Sequence, residues 1–461
     1  MSHPVRRPPS LDSLLRSPGA AELSARHGRE RLKEALRDAG ALLRDGRLEA
    51  PEPGSGQTLE GILVAEASAR LAGRAPAGPV RVVNATGVLL HTNLGRAPLA
   101  EAAMEAVARS GGYCNLELDL ATGKRGRRGE HVRPLLVSLF APGRDDVDAL
   151  AVTNTAAALL LALDTLANGR PVAVSRGELV AIGGDFRVPS ILARSGATLR
   201  EVGTTNRTTE ADYLEALDDG VGAVLKVHPS NYRIVGYTEE VSLGRLASLC
   251  APRGIPLLYD AGTGAPARLP LGGAAGESPA DALAAGADLV FFSGDKTLGG
   301  PQAGILLGRK DLVERATRNP LARALRPDKL VLAALAATLD LHLSGRSLEV
   351  PFHRMLLEPV EPIALRAEAL ASRAREAGWE AEVVESEAVA GGGSGTESTV
   401  PSRAVALRHP LLSADEAAAR FRALPVPVLG RVENDRLLLD LRTVDEGGQA
   451  LLISAFAYLA K

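Results

Sequence analysis

One lysine lies in a setting suited to covalent chemistry. Lys296 is part of residues 293–300, Ser-Gly-Asp-Lys-Thr-Leu-Gly-Gly, directly after the apolar run 289–292 that predicts a buried strand. Glycines let a ligand approach the backbone closely, and Ser293 offers a hydroxyl to a phosphate. An amine must lose part of its hydration before it reacts as a nucleophile. Because a lysine at a strand end is most often a surface charge, Lys296 needs supporting evidence.

A carboxylate at the end of another apolar run supplies that evidence. Asp260 follows Leu-Leu-Tyr and precedes Ala-Gly-Thr-Gly. Alone, such an aspartate would more often cap the following turn. With Ser293 and Lys296 downstream, it predicts a partner for the ring nitrogen of pyridoxal 5'-phosphate. That cofactor is an electron sink while its ring nitrogen stays protonated, and a facing carboxylate keeps it so.

Two further motifs complete the cofactor prediction. Asn154, Thr155 and Ala156 fall where a strand gives way to a helix, and the N–H groups at a helix start attract phosphate. Arg176 follows a later predicted strand, at a position where many pyridoxal-phosphate enzymes stack a side chain on the cofactor ring. A planar guanidinium can stack in this way. The order of phosphate loop, ring cover, aspartate and Ser-x-x-Lys indicates a fold-type-I, aspartate-aminotransferase-like enzyme.

The elements around these residues predict an α/β catalytic domain over residues 79–340. Apolar runs at 149–152, 172–174, 223–227, 256–259 and 287–292 alternate with Ala- and Leu-rich helical stretches. This alternation favours a parallel-rich sheet covered by helices on both faces. In open sheets of this kind the ligand lies outside the carboxyl ends of the strands.

A small C-terminal α+β domain is predicted over residues 341–461. Its expected elements are a helix near 361–378, strands at 381–384, 404–407, 426–432 and 437–441, and a final helix. Ser413 and Glu416 have the spacing of a capping box at the start of another helix. The glycine-rich stretch 391–395 predicts a flexible loop.

The first 78 residues predict a separate helical domain. Leu32, Leu36, Ala39 and Leu43 recur with helical spacing, and a second helix carries Leu59. Residues 51–56, rich in Pro and Gly, predict a linker between them. Residues 1–50 contain ten Lys or Arg and seven Asp or Glu, a local charge of +3.

Composition predicts a soluble cytoplasmic protein. The chain has 461 residues, of which 46% are hydrophobic and 23% charged, with a net charge of −2. Two cysteines, Cys114 and Cys250, exclude a disulfide framework and suit a reducing compartment. We expect no membrane segment, because no apolar run has spanning length and the N-terminus lacks a signal-peptide pattern. No metal site is predicted.

The remaining motifs resemble bacterial selenocysteine synthase, the L-seryl-tRNA(Sec) selenium transferase family. They lie at residues 83–87, 91–96, 175–179, 201–207, 226–231, 293–302 and 322–326. The resemblance extends over essentially the whole chain. It departs at Thr297, where the family usually has Leu, at Ala181, where it usually has Glu, and at Thr153, in a stretch that is often rich in Asn.

The resemblance implies a function and several residue roles. The chain would convert seryl-tRNA(Sec) to selenocysteinyl-tRNA(Sec) through a cofactor-bound aminoacrylyl intermediate, with Lys296 as the Schiff-base lysine. Arg96, Arg323 and Arg326 would bind selenophosphate, an anion that guanidinium groups recognise well. Residues 1–78 would bind tRNA, and the assembly would be a homodecamer, a ring of dimers.

Two other functions remain open at this point. A small-molecule ammonia-lyase of the same fold would use the same lysine without tRNA, but its substrate would not need the N-terminal helices. A non-catalytic tRNA-binding protein would not need Asp260 and Lys296 at strand ends. The basic loop 124–128, Lys-Arg-Gly-Arg-Arg, would suit either tRNA backbone contact or a neighbouring active site.

Overall fold

The computed structural model describes residues 9–48, 51, 58–72, 78–179, 181–182, 186–229, 232, 234–271, 277–392 and 398–459. The chain divides into two compact units, Met1–Arg81 and Val82–Lys461. Most of the predicted linker 51–56, part of the glycine loop 391–395 and the last two residues of the 226–231 motif lie outside the described residues.

The first unit is helical. It contains α1 (Leu11–Leu15), α2 (Pro18–His27), α3 (Arg29–Arg44) and α4 (Leu59–Ala72). Ser10 and Ser17 cap α1 and α2 by accepting backbone N–H groups through their hydroxyls. The apolar stripe of α3 is buried against α4 and the shorter helices, with Leu43 partly buried at its end. The helical periodicity seen in the sequence therefore corresponds to a small core of its own.

The second unit contains fifteen strands and fourteen helices among its described residues. The strands are β1 (Val83–Asn84), β2 (Val147–Val152), β3 (Pro171–Ser175), β4 (Ala181–Ile182), β5 (Phe186–Arg187), β6 (Thr198–Val202), β7 (Ala223–Val227), β8 (Leu257–Gly262), β9 (Leu289–Ser293), β10 (Gly304–Arg309), β11 (Glu380–Val389), β12 (Thr399–Arg408), β13 (Val428–Leu429), β14 (Arg431–Glu433) and β15 (Arg436–Asp440). The helices are α5 (Glu101–Ser110), α6 (Arg133–Phe140), α7 (Thr155–Ala167), α8 (Val188–Arg194), α9 (Glu210–Asp218), α10 (Leu243–Cys250), α11 (Pro279–Ala284), α12 (Lys310–Arg318), α13 (Pro320–Ala324), α14 (Lys329–Leu343), α15 (Pro351–Leu357), α16 (Val360–Glu376), α17 (Ala414–Arg422) and α18 (Glu446–Leu459).

A seven-stranded sheet forms the centre of this unit, in the order β2-β10-β9-β8-β7-β3-β6. The pairs from β9 to β6 are parallel, which confirms the predicted parallel-rich sheet, whereas β10 runs antiparallel to both of its neighbours. Successive side chains of β9 point to opposite faces, so that Phe291 packs with α7 and Phe292 with α6 and α14. Both faces of the sheet are therefore covered by helices.

The C-terminal region contains a four-stranded antiparallel sheet, in the order β11-β12-β15-β14. The predicted capping box is confirmed, because Ser413 and Glu416 bond each other's backbone N–H groups at the start of α17. The single strand predicted over 426–432 is wrong. It is divided into β13, which pairs with β1, and β14, which pairs with β15, and Gly430 lies between them. A Cβ on Gly430 would lie 2.5 Å from the Leu438 carbonyl oxygen.

Two predictions from composition can be compared with the structure. In the part of the chain that the structure describes, no helix is long and apolar enough to cross a membrane. Both cysteines are free thiols, with Cys114 exposed and Cys250 buried. Burial raises the pKa of Cys250 to about 12, so this thiol stays protonated and unreactive at neutral pH.

The close approach of β10 to the start of α7 gives a first prediction. A Cβ on Gly304 would lie 2.0 Å from the Asn154 carbonyl oxygen, so Gly304→Ala must displace one of the two segments. We expect it to lower the free energy of unfolding by about 1–3 kcal/mol or more, measured by urea titration. Gly112→Ala is the control, because its Cβ would meet nothing within 4 Å. Equal losses in the two variants would show that this approach is not tight.

Candidate active site

Lys296 is buried in the turn that follows β9. Its side chain is among the buried charged groups, with the residue 7% exposed. Burial lowers the pKa of Lys296 because the ammonium loses water, while the charge of Asp260 acts in the opposite direction. A fraction of neutral amine is therefore available to react with a carbonyl group.

Asp260 occupies the corresponding end of β8, the strand beside β9. One carboxylate oxygen accepts a hydrogen bond from the Gly262 N–H at 2.9 Å. Burial raises the pKa of Asp260, and Lys296 opposes that shift. The two strand ends thus bring the predicted amine and the predicted carboxylate within electrostatic range of each other.

The predicted phosphate loop lies at the start of α7. The Asn154 side chain caps this helix by accepting the Ala157 N–H at 2.9 Å. Thr155 and Ala156 belong to its first turn, where N–H groups have no acceptor within the helix. The Thr155 hydroxyl lies 2.9 Å from the Ser293 hydroxyl at the end of β9. Backbone N–H groups and two hydroxyls therefore meet here, as a phosphate site requires.

Arg176, the predicted ring cover, lies immediately after β3. Its guanidinium donates to Glu201 at 2.7 Å, and half of the side chain is exposed. No hydrogen bond or ion pair among the described residues joins it to Lys296 or Asp260. The structure therefore places Arg176 at the correct end of the sheet but pairs it with the neighbouring strand.

A buried ion pair between Glu178, two residues after Arg176, and Lys226 was not predicted from the sequence. Glu178 accepts from the Lys226 ammonium at 2.7 Å and from the Val227 N–H at 3.0 Å. Burial raises the pKa of Glu178, whereas Lys226 lowers it. His228, the residue after Val227, donates its backbone N–H to the Asp260 carbonyl oxygen at 2.9 Å. The pair thus connects the turn after β3 to β7 and, through it, to β8.

Two histidines, also missed, hold the turn that carries Lys296. His353 bonds through Nε2 to the Thr297 carbonyl oxygen and His342 through Nε2 to the Leu298 carbonyl oxygen, both at 2.9 Å. Burial lowers the pKa of His353 to about 4, so its ring is neutral at neutral pH. The Thr297 hydroxyl accepts the Gly264 N–H at 3.0 Å and so ties the turn to the segment after β8.

The three arginines predicted to bind an anion fall in two places. Arg96 donates to Asp295 at 2.8 Å, and its charge contributes to the lowered pKa of Lys296. Arg323 is exposed in α13, and Arg326 lies 3.8 Å from Glu117. The residue before Arg326, Leu325, accepts the Thr153 N–H at 2.9 Å. One arginine is therefore beside the lysine turn, and the other two are on a segment bonded to the phosphate loop.

Several polar atoms near Lys296 are buried without a hydrogen-bond partner among the described residues. They include Asp295 Oδ1, Thr263 Oγ1 and His91 Nδ1. Buried polar atoms normally find partners, because leaving one unpaired costs about 1–3 kcal/mol. These unpaired atoms, the Lys296 amine, the Asp260 carboxylate and the N–H groups and hydroxyls at the start of α7 fit pyridoxal phosphate. The described part of the chain contains no group of three or more residues able to hold a metal.

Comparison with known proteins identifies relatives over the full length. A family profile described as "L-seryl-tRNA selenium transferase" matches residues 82–445, and one described as "Selenocysteine synthase N terminal" matches residues 6–44. The chain is 43% identical to the L-seryl-tRNA(Sec) selenium transferase of Hyphomonas neptunium, with all of both chains covered. It is 42% identical to that of Carboxydothermus hydrogenoformans, covering 96% of this chain and 95% of the relative.

Solved structures establish the fold. The structure of a D-glucosaminate-6-phosphate ammonia-lyase matches with a TM-score of 0.55 at 22% sequence identity, covering 83% of this chain and 96% of the lyase. The central sheet, the C-terminal sheet and this likeness confirm the predicted fold-type-I class. At this identity, the likeness carries no information about the substrate.

The buried histidine under the lysine turn gives a prediction about pH. The pKa of His353 falls from 6.5 to about 4 on folding, so below pH 6.5 the unfolded chain binds the proton more tightly. Stability from this residue is therefore complete above pH 6.5 and decreases as the pH falls toward 4. Between about pH 7.5 and about pH 5, we expect the wild type to lose about 2 kcal/mol more unfolding free energy than His353→Gln.

Urea titrations at the two pH values measure this difference. His131→Gln, at an exposed histidine, should keep the wild-type dependence on pH. If the His353→Gln variant also kept it, His353 would not be the group that titrates on unfolding.

Proposed function

The chain belongs to the L-seryl-tRNA selenium transferase family, and we propose that it converts L-seryl-tRNA(Sec) to L-selenocysteinyl-tRNA(Sec). Pyridoxal 5'-phosphate is the cofactor and selenophosphate the selenium donor. The observation that carries the proposal is the buried pair of Lys296 and Asp260 at adjoining strand ends. It occurs in a chain that is 43% identical over its whole length to a relative of that name.

Each residue of the site has a role that follows from its chemistry. Lys296 would hold the cofactor, Asp260 would keep its ring nitrogen protonated, and the start of α7 with Ser293 would bind its phosphate. When bound, the cofactor supplies an electron sink for negative charge at the α-carbon of the seryl group. The Lys296 amine, whose pKa burial lowers, removes the α-proton. The β-hydroxyl leaves as water, and the selenium of selenophosphate forms the new bond to the β-carbon. The Lys296 ammonium returns the proton to the α-carbon, and water cleaves the phosphorus–selenium bond, which releases phosphate.

The arginines bind the donor. Arg96, Arg323 and Arg326 present guanidinium groups, which recognise phosphate-like oxygens through charge-assisted hydrogen bonds. The ion pair of Arg96 with Asp295 uses one of its nitrogens and leaves the others for an anion. Arg176, at the carboxyl end of β3, would stack its guanidinium on the cofactor ring in place of its ion pair with Glu201.

The N-terminal helices bind the tRNA, and the catalytic centres assemble as a homodecameric ring of dimers in the cytoplasm. The family resemblance supports the assembly. The net positive charge of residues 1–50 and the match of residues 6–44 to a selenocysteine synthase segment support the tRNA role. The small-molecule lyase stays the alternative, but no observation favours it, since its likeness to this chain extends to the fold alone.

Replacing the buried lysine tests the cofactor and the reaction together. Lys296→Ala should abolish selenium transfer and the visible absorption of lysine-bound pyridoxal phosphate, because Lys296 is the buried amine within electrostatic range of Asp260. Lys310→Ala, which changes an exposed lysine at the start of α12, should keep both. Transfer is measured as labelled selenium incorporated into seryl-tRNA(Sec). Full transfer by purified Lys296→Ala would contradict the proposal.

Removing residues 1–78 tests the tRNA role. The truncated chain retains the whole second compact unit, so it should bind the cofactor normally while its affinity for tRNA(Sec) falls. The full-length protein should bind with a steep salt dependence, about 0.7–0.9 in logarithmic slope for each neutralised phosphate. Filter binding across a salt series measures both quantities. Equal affinities for tRNA(Sec) would assign these helices a structural role.

A further inference from the structure

The basic loop 124–128 contains two kinds of cation. Arg125 and Arg128 both donate to the carboxylate of Glu117 at 3.0 Å, whereas Lys124 and Arg127 are exposed and make no ion pair among the described residues. The backbone closes the loop around this carboxylate, because the Gly126 N–H donates to the Glu117 carbonyl oxygen at 3.0 Å. The two arginines lower the pKa of Glu117, Arg128 most strongly, so the carboxylate stays ionised.

Arg128 differs from Arg125 in its second contact. Its other guanidinium nitrogen donates to the Pro327 carbonyl oxygen at 3.1 Å. Arg128 is 24% exposed, whereas Arg125 is 79% exposed and has Glu117 as its described ion-pair partner. One carboxylate thus holds two arginines, and the more buried of them reaches a second segment of the chain.

The segment that Arg128 reaches carries the arginines of the proposed donor site. Arg326 precedes Pro327 and lies 3.8 Å from the same Glu117 carboxylate. On its other side, Leu325 accepts the Thr153 N–H of the phosphate loop at 2.9 Å. Residues 325–327 are therefore bonded both to the phosphate loop and to Arg128. Glu117 also offsets the repulsion between Arg128 and Arg326, which would otherwise push these like charges apart.

We propose that Glu117 and Arg128 are positioning residues for the donor site. Glu117 orients Arg128, and Arg128 fixes the backbone of 325–327, so that Arg326 and the neighbouring Arg323 face the anionic donor. This inference rests on the proposed function, in which those two arginines bind selenophosphate. It also assigns the basic loop two roles: Arg128 acts inside the fold, while Lys124 and Arg127 stay exposed to solvent.

The matched variants are Arg128→Lys and Arg125→Lys, both in the full-length protein. Lysine keeps the charge but cannot donate to Glu117 and Pro327 at once, since it lacks the planar fork of arginine. Arg128→Lys should raise the KM for selenophosphate about tenfold or more, the effect of one lost charge-assisted hydrogen bond. Its kcat and cofactor absorption should change little. Arg125→Lys should change KM by less than about twofold, as exposed ion pairs contribute little.

A third variant and a second ligand complete the test. Glu117→Gln should also raise the KM for selenophosphate, and a lowered KM would instead show that Glu117 competes with the donor. Binding of inorganic phosphate, measured by calorimetry, should weaken in the same order as donor use. Equal effects of Arg128→Lys and Arg125→Lys, or loss of cofactor absorption in Arg128→Lys, would overturn the proposal.

These measurements separate the inference from the function on which it rests. If the wild type transfers no selenium but phosphate binding still distinguishes Arg128→Lys from Arg125→Lys, the proposed function fails and the positioning role stands. If the wild type transfers selenium and the two variants behave alike, the proposed function stands and the positioning role fails.

Discussion

Burying an ammonium and a carboxylate costs several kcal/mol for each ion unless attraction and hydrogen bonds offset the loss of water. Lys296 and Asp260 are both 7% exposed, and each lowers the other's cost while burial pushes both toward their neutral forms. Burial lowers the pKa of Lys296 and so favours its neutral, nucleophilic form, while the charge of Asp260 opposes that shift. The carboxyl ends of two adjoining parallel strands hold the pair, so the sheet itself fixes their separation.

The surrounding contacts serve to keep this pair in place. Neutral His353 and His342 bond to carbonyl oxygens of the lysine turn, and neutral donors are suited to this position because further positive charge would lower the pKa of Lys296 more. On the side of Asp260, the Glu178–Lys226 pair joins the ends of β3 and β7. The two histidine rings are neutral, and the charges of Glu178 and Lys226 are paired with each other.

The parts that the sequence predicted are those set by local patterns. Lys296, Asp260 and the start of α7 each follow an apolar strand within a few residues, so their places at the sheet's edge could be inferred from spacing. The antiparallel β10, the division of 426–432 and the Glu178–Lys226 pair could not. Each depends on contacts between segments distant in sequence, such as Glu178 and Lys226, which are 48 positions apart. The hydrogen-bonding role of Thr297 likewise required the position of Gly264.

A centre made of an amine, a carboxylate and a phosphate site supplies chemistry that many reactions can use, so it does not select a substrate. Selection must come from groups outside it that recognise the rest of the reactants. The arginines that we propose for donor binding are attached to the centre by direct bonds: Arg96 is paired with the residue before Lys296, and the segment of Arg326 is bonded to the start of α7 through Thr153. Because charge-assisted bonds depend strongly on geometry, attachment at these two points makes donor recognition depend on the same strand ends that hold the cofactor site. Under the proposed function, recognition of the donor and activation of the seryl group would therefore depend on the same strand ends.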